Sequence, residues 1–115
     1  MIFEAQTEWI APDNFPDLRG YKIISIDLET KDPDLKTKGS GSVIGNGEVV
    51  GIAVAVDGWC KYYPIAHEGG GNLDKKKVLE WLKDVCATSS IKVFHNAMYD
   101  VCWLRSYGIK INGFI

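Results

Sequence analysis

Residues 21–28 alternate in character. Ile24, Ile26 and Leu28 fall on one side of an extended chain, and Ser25, Asp27 and Glu29 on the other. A period of two commits this segment to a strand with one buried face, and it also fixes where two carboxylates go. Asp27 and Glu29 leave the polar side together as the strand runs out. A second apolar run, Ile91 to His95, is followed by Asn96 and Asp100, which are four apart and share one face of a helix starting there. Carboxylates held close together repel unless something positive sits between them. A hard divalent cation, Mg²⁺ or Mn²⁺, prefers such oxygen ligands. The pattern predicts a metal site split between a strand end and a helix start. In it Asp27, Glu29 and Asp100 are the catalytic carboxylates and metal ligands, and Asn96 donates to substrate or orients a ligand. Two ions about 3.5–4 Å apart would clamp a phosphodiester, one activating a water and the other stabilising the leaving oxyanion.

Each piece alone has a plainer explanation. An isolated Asp-x-Glu is a strand face turned to water. Asn96 alone is an N-cap, and Asp100 a favourable charge in a first helical turn. Both polar pairs, however, sit where apolar strands end, and together they favour the site.

The rest of the chain supplies the frame. Residues 1–20 read as a lead-in broken by Pro12, Pro16 and Gly20, with Trp9, Ile10 and Phe15 able to pin it. Residues 31–42 read as a polar, Gly-rich loop, and Gly45-Asn46-Gly47 as a hairpin-turn signal. Val49 to Val56 and Trp59 to Ile65 read as strands joined tightly at Asp57-Gly58. His67 to Asn72 is a loop. A helix is expected from about Asp74 to Cys86, capped by Asn72, with Val78, Leu79, Leu82, Val85 and Cys86 as its apolar stripe. A second helix, Ala97 to Tyr107, carries Val101, Leu104 and Tyr107 on one stripe and ends at Gly108. Ile109 to Ile115 begins a last strand. The order β-β-β-α-β-α-β predicts an α/β chain: a three-strand antiparallel meander, then alternating helices and strands in one mixed sheet.

Composition narrows the function. With 115 residues, 46% of them hydrophobic, the chain can bury one core. A formal net charge of −2 gives no global positive field, which argues against non-specific coating of DNA but not against an enzyme whose metals neutralise phosphate. Cys60, Cys86 and Cys102 form no metal cluster and read as reduced, intracellular core thiols. No apolar run is long enough to span a membrane, and the start lacks a secretory signal. The Gly39–Gly47 stretch lacks the Lys-Ser/Thr of a P-loop. His67 and His95 lack zinc spacing and read as solvated loop and strand-end positions. Lys75, Lys76 and Lys77 read as a solvated helix face, and Trp81 and Trp103 as packing residues.

Ile26-Asp27-Leu28-Glu29-Thr30 resembles the first motif, Asp-x-Glu, of the DEDD superfamily of 3′–5′ exonucleases, which has a ribonuclease H-like fold. Val93-Phe94-His95-Asn96-Ala97-Met98-Tyr99-Asp100 resembles its second, Asn-x-x-x-Asp. The meander between them matches the family's strand order. More narrowly, the segments Ile26 to Asp34 and Tyr63 to Asn72 resemble the proofreading domain of phage-type family A DNA polymerases, and the likeness runs from about Glu8 to the end.

The resemblance implies two Mg²⁺ or Mn²⁺ ions, bridged by Asp27, with Glu29 on one and Asp100 on the other directly or through water. Asn96, Leu28 and Thr30 would lie against the 3′-terminal nucleotide. The implied substrate is a single-stranded DNA 3′ end, and the implied partner a polymerase domain in the same full-length chain, with no membrane. The setting would be cytoplasmic, in the host cell if phage-encoded. The family's third motif is missing: no Tyr-x-x-x-Asp or His-x-x-x-x-Asp follows Gly113. The expectation is therefore a partial exonuclease domain over residues 21–115, incomplete at its C-terminus, binding metal weakly and cleaving little by itself. Two alternatives stay open: a ribonuclease D-like RNA exonuclease, and a non-catalytic ribonuclease H-like module that binds nucleic acid or a partner.

Overall fold

A computed structural model describes residues 11–113. The strands are β1 (Ile23–Lys31), β2 (Glu48–Val56), β3 (Trp59–Pro64) and β4 (Ile91–Phe94). The helices are α1 (Leu35–Lys38), α2 (Gly41–Ile44), α3 (Lys75–Ala87) and α4 (Ala97–Ser106). The four strands form one sheet in the order β3-β2-β1-β4. β1 and β2 run antiparallel, as do β2 and β3, while β4 lies parallel to β1 after the α3 crossover. The class is α/β with a mixed sheet, compatible with the expected ribonuclease H-like architecture.

The alternation in β1 decides the layering. Ile24, Ile26 and Leu28 join Ile52, Val54, Tyr63 and Phe94 in a core with Val78, Leu82, Val85 and Cys86 of α3 and Trp103 and Leu104 of α4. Both long helices therefore cover the same face of the sheet. The lead-in is pinned as expected by Phe15, which stacks on Tyr63 at 5.4 Å. Trp81 adds a second tie, donating its Nε1–H to the Pro16 carbonyl at 2.9 Å. Trp9 and Ile10 lie outside the described residues. The opposite face carries Ile23, 53% exposed, and Val93, 45% exposed, beside the acids.

Four local expectations are corrected. The loop at 31–42 holds the helical turns α1 and α2. Both carboxylate oxygens of Asp32 accept from the Gly41 N–H at 3.1 Å, and Asn46 Nδ2 donates to Asp34 at 2.6 Å. Gly45 ends α2 instead of turning a hairpin, its own N–H donating to the Gly41 carbonyl. The cap of α3 is Asp74, which accepts from the Lys77 N–H. Asn72 instead clamps the preceding loop, bonded both ways to the His67 backbone at 2.8 Å. Residues 109–113 form no strand, because Asn112 donates its N–H to the Cys86 carbonyl at the end of α3; residues 114–115 lie outside the described range. Gly108, at φ +78°, closes α4 where expected. Of the cysteines only Cys86 is buried, its thiol pushed up to about 12 by that burial; Cys60 is exposed and Cys102 half-buried.

The face assignment has a direct consequence for stability. Ile26→Ala, fully inside, is expected to lower unfolding free energy by about 3 kcal/mol through lost burial and a residual cavity. Ile23→Ala, three residues earlier on the open face, is expected to change it by less than about 1 kcal/mol. Urea denaturation of both variants checks this, and equal losses would mean the register is wrong.

Candidate metal and substrate site

β1 and β4 run parallel with Ile26 opposite Phe94, so β4 ends beside the middle of β1, which continues to Lys31; Asp27 is therefore mid-strand, and not where the strand runs out as expected, because β2 keeps β1 paired beyond it. α4 therefore starts beside Asp27. Open sheets of this kind place their sites outside the carboxyl ends of the strands, where the order of connection reverses. β1 is such a point: its continuation goes to β2 on one side, and the crossover returns to β4 on the other.

Asp27 and Glu29 lie exposed on the open face of the sheet. Asp100, in the first turn of α4, is 3% exposed, and its Oδ2 has no hydrogen-bond partner among the described residues. Burial, reinforced by the nearby charge of Asp27, raises its carboxyl well above the usual range, to about 6. His95 and a hydrogen bond from the Asn96 backbone oppose the rise. Leaving a buried carboxylate oxygen unpaired is costly, and a cation or a proton relieves it.

Asn96 occupies the N-cap position of α4 with an exposed side chain that makes no capping bond. Leu28 packs inward, at the edge of the core. The Thr30 hydroxyl bonds to Tyr99 Oη at 2.9 Å, and the same Tyr99 hydroxyl donates to Asp32 at 2.7 Å, tying α4 to the segment carrying α1 and α2. An open groove of about 690 Å³ runs along the face, lined in part by Asp27, Ala53, Tyr62 and His95.

The donor set is all oxygen, which suits Mg²⁺ or Mn²⁺, and the orphaned Asp100 oxygen beside Asp27 gives such an ion a reason to be there. No three carboxylate, imidazole or thiol side chains among the described residues converge tightly enough to cage an ion. Mg²⁺ does not require a cage, since it is held by one or two carboxylates, waters and substrate phosphate. The Asp27–Asp100 pair thus fits the ion. Glu29 stands further along the strand, where its Oε2 accepts from the Tyr62 hydroxyl at 3.1 Å. Tyr62 and His67 are additions that the sequence reading missed. His67 is half-buried with Nε2 2.5 Å from Tyr62 Oη, not a solvated loop residue. No local signal marked Tyr62, which stands between Lys61 and Tyr63 in the sequence.

Fold and site together define an α/β domain with acidic residues on the open face of β1, beside the carboxyl end of β4, in a mixed sheet. Over 114 aligned residues, 90% of the chain, it is 40% identical to a protein of Pseudomonas phage M6 named DNA-directed DNA polymerase. The chain spans 16% of that protein's length. No protein-family model matches the chain. Among the described residues, no helix is long and apolar enough to cross a membrane.

The raised Asp100 carboxyl carries a pH signature. In the metal-free protein the native state holds this proton more tightly than the unfolded chain does, so stability falls as pH rises from about the ordinary Asp value of 3.8 to about 6. Asp100→Asn is expected to flatten that decline and to stabilise the protein at pH 7.5 by roughly 2–3 kcal/mol. Urea titrations at several pH values measure it. A difference between the two proteins that is the same at pH 3 and pH 8 would contradict the burial account.

Proposed function

We propose that residues 21–115 are part of a 3′–5′ exonuclease domain that removes nucleotides from single-stranded DNA ends in proofreading, beside a polymerase domain in a longer polypeptide. The observation that carries this reading is the buried Asp100 oxygen, unpartnered among the described residues and close enough to Asp27 to feel its charge, beside the end of β4. The likeness to a segment of a phage protein named as a DNA polymerase supports it. The setting it suits is the cytoplasm of an infected host cell.

In this reading Asp27 and Asp100 hold Mg²⁺ or Mn²⁺, with Glu29 as a further ligand. A bound divalent ion would supply charge neutralisation and a water of lowered pKa. Asp27 and Asp100 fix where that charge sits, and their own repulsion holds the site ready for it. Asn96, exposed at the start of α4, donates to the 3′-terminal nucleotide. Thr30, tied to Tyr99, holds the strand end against α4, and Leu28 backs it from the core. The groove beside Asp27 admits a single extended strand.

The absence of a three-ligand cage among the described residues favours a second reading, a ribonuclease H-like module that binds nucleic acid without cutting it. The two part on one experiment. A DNA polymerase polypeptide carrying this segment, given 5′-labelled single-stranded DNA and Mg²⁺, is expected to shorten it from the 3′ end. Asp27→Ala and Asp100→Ala are each expected to lower the rate by about 100-fold or more, the scale of a lost electrostatic stabiliser. Full activity in both variants would remove these residues from the site, and binding without cleavage would favour the module. Faster cleavage of RNA than of DNA ends would shift the reading to a ribonuclease D-like enzyme.

A further inference from the structure

Tyr62 stands in register with Ala53, which in turn pairs with Asp27. The phenol does not stay in that row. It leans over Gly51, the partner of Glu29, and its hydroxyl donates to Glu29 Oε2 at 3.1 Å. The lean depends on Gly51 having no side chain: a Cβ there would sit 1.7 Å from Tyr62 Oη. A glycine inside a strand weakens it unless something approaches closely, and here the phenol is what approaches.

The other side of the hydroxyl meets His67 Nε2 at 2.5 Å, with the two rings edge to face at 5.7 Å. His67 is itself held. Its backbone N–H donates to Asn72 Oδ1 and its carbonyl accepts from Asn72 Nδ2, both at 2.8 Å. The next residue, Glu68, pairs with Lys31 at 2.7 Å and draws the loop to the end of β1. A phenol has one proton. With that proton on Glu29, the bond to His67 requires the imidazole to carry its hydrogen on Nε2 and donate it, an assignment made from the network. Donors aligned in this way polarise one another toward the carboxylate.

We infer that Tyr62 is a positioning residue for Glu29: gripped by His67 and admitted by Gly51, its hydroxyl fixes one carboxylate oxygen and leaves the other free of that bond for a cation. This rests on the metal-binding reading of Asp27, Glu29 and Asp100. An exposed glutamate at a strand end otherwise samples many rotamers, and a ligand that must first be ordered binds more weakly.

The test uses the 115-residue chain and reads Glu29 directly. NMR relaxation of the Glu29 side chain without metal is expected to show an ordered carboxylate arm in the wild type and a mobile one in Tyr62→Phe, which keeps the ring and loses the hydroxyl. Gly51→Ala is expected to mobilise it too. His67→Gln, whose amide can still donate, should keep most of the order that His67→Ala loses. The Mn²⁺ dissociation constant, read by electron paramagnetic resonance, is expected to rise tenfold or more in Tyr62→Phe, as for other partners that orient metal ligands. Melting temperature should move by less than about 3 °C. Equal Glu29 order with and without the hydroxyl overturns the inference, as does an unchanged Mn²⁺ affinity in a wild type that binds. If the wild type binds no Mn²⁺ yet Glu29 still loosens in Tyr62→Phe, the metal reading fails and the positioning stands.

Discussion

A strand has two faces, and β1 gives one to the core. Once Ile24, Ile26 and Leu28 are committed inward against α3 and α4, Asp27 and Glu29 have only the open face left. A slip of one residue would bury both carboxylates and expose the isoleucines, so the core enforces the position of the acids. The same strand lies between two different neighbours, antiparallel β2 and parallel β4. Its middle is therefore the place where a β-ribbon, a helix start and an acid row meet. Between Glu29 and Thr30 the register to β2 shifts, so the strand changes its pairing as it leaves the site.

Two kinds of acid result from this arrangement. Asp27 and Glu29 are wet, while Asp100 is shut against the sheet with an oxygen unsatisfied. The difference comes from the helix. Packing Trp103 and Leu104 into the core brings the first turn of α4, and Asp100 with it, down beside Asp27 in the middle of β1. Stability of the core and discomfort of one carboxylate thus come from the same contact. Local rules are broken in this way at sites more often than elsewhere.

The layers were legible because they depend on period. Alternation found β1, and the i, i+3, i+4 spacing of Val78, Leu82 and Val85 found α3. What escaped depends on contacts distant in sequence. α1 and α2 are short helical turns of weak intrinsic stability, held by Asp32, Asp34 and the reach of Tyr99. Asp74 and Asn72 are both good caps by type, and only the loop's own need for a clamp separates their roles. The acids of the candidate site were visible as motifs. The Glu29–Tyr62–His67 chain was not, because it requires the pairing register of three strands and the gap above Gly51.

The mixed sheet also sets an order of assembly. β1, β2 and β3 pair through near neighbours in sequence, whereas β4 reaches β1 only after α3 has folded back. Short closures lose little chain entropy and form fast; the crossover closure is the slow one. Asp27, Glu29 and Tyr62 all belong to the early ribbon, and Asp100 arrives with the late half. Amide protection that appeared in β1–β3 before β4 would reveal this, and simultaneous protection would refute it. The ribbon then holds an acidic face, with its tyrosine in place, before the helix that completes it has docked.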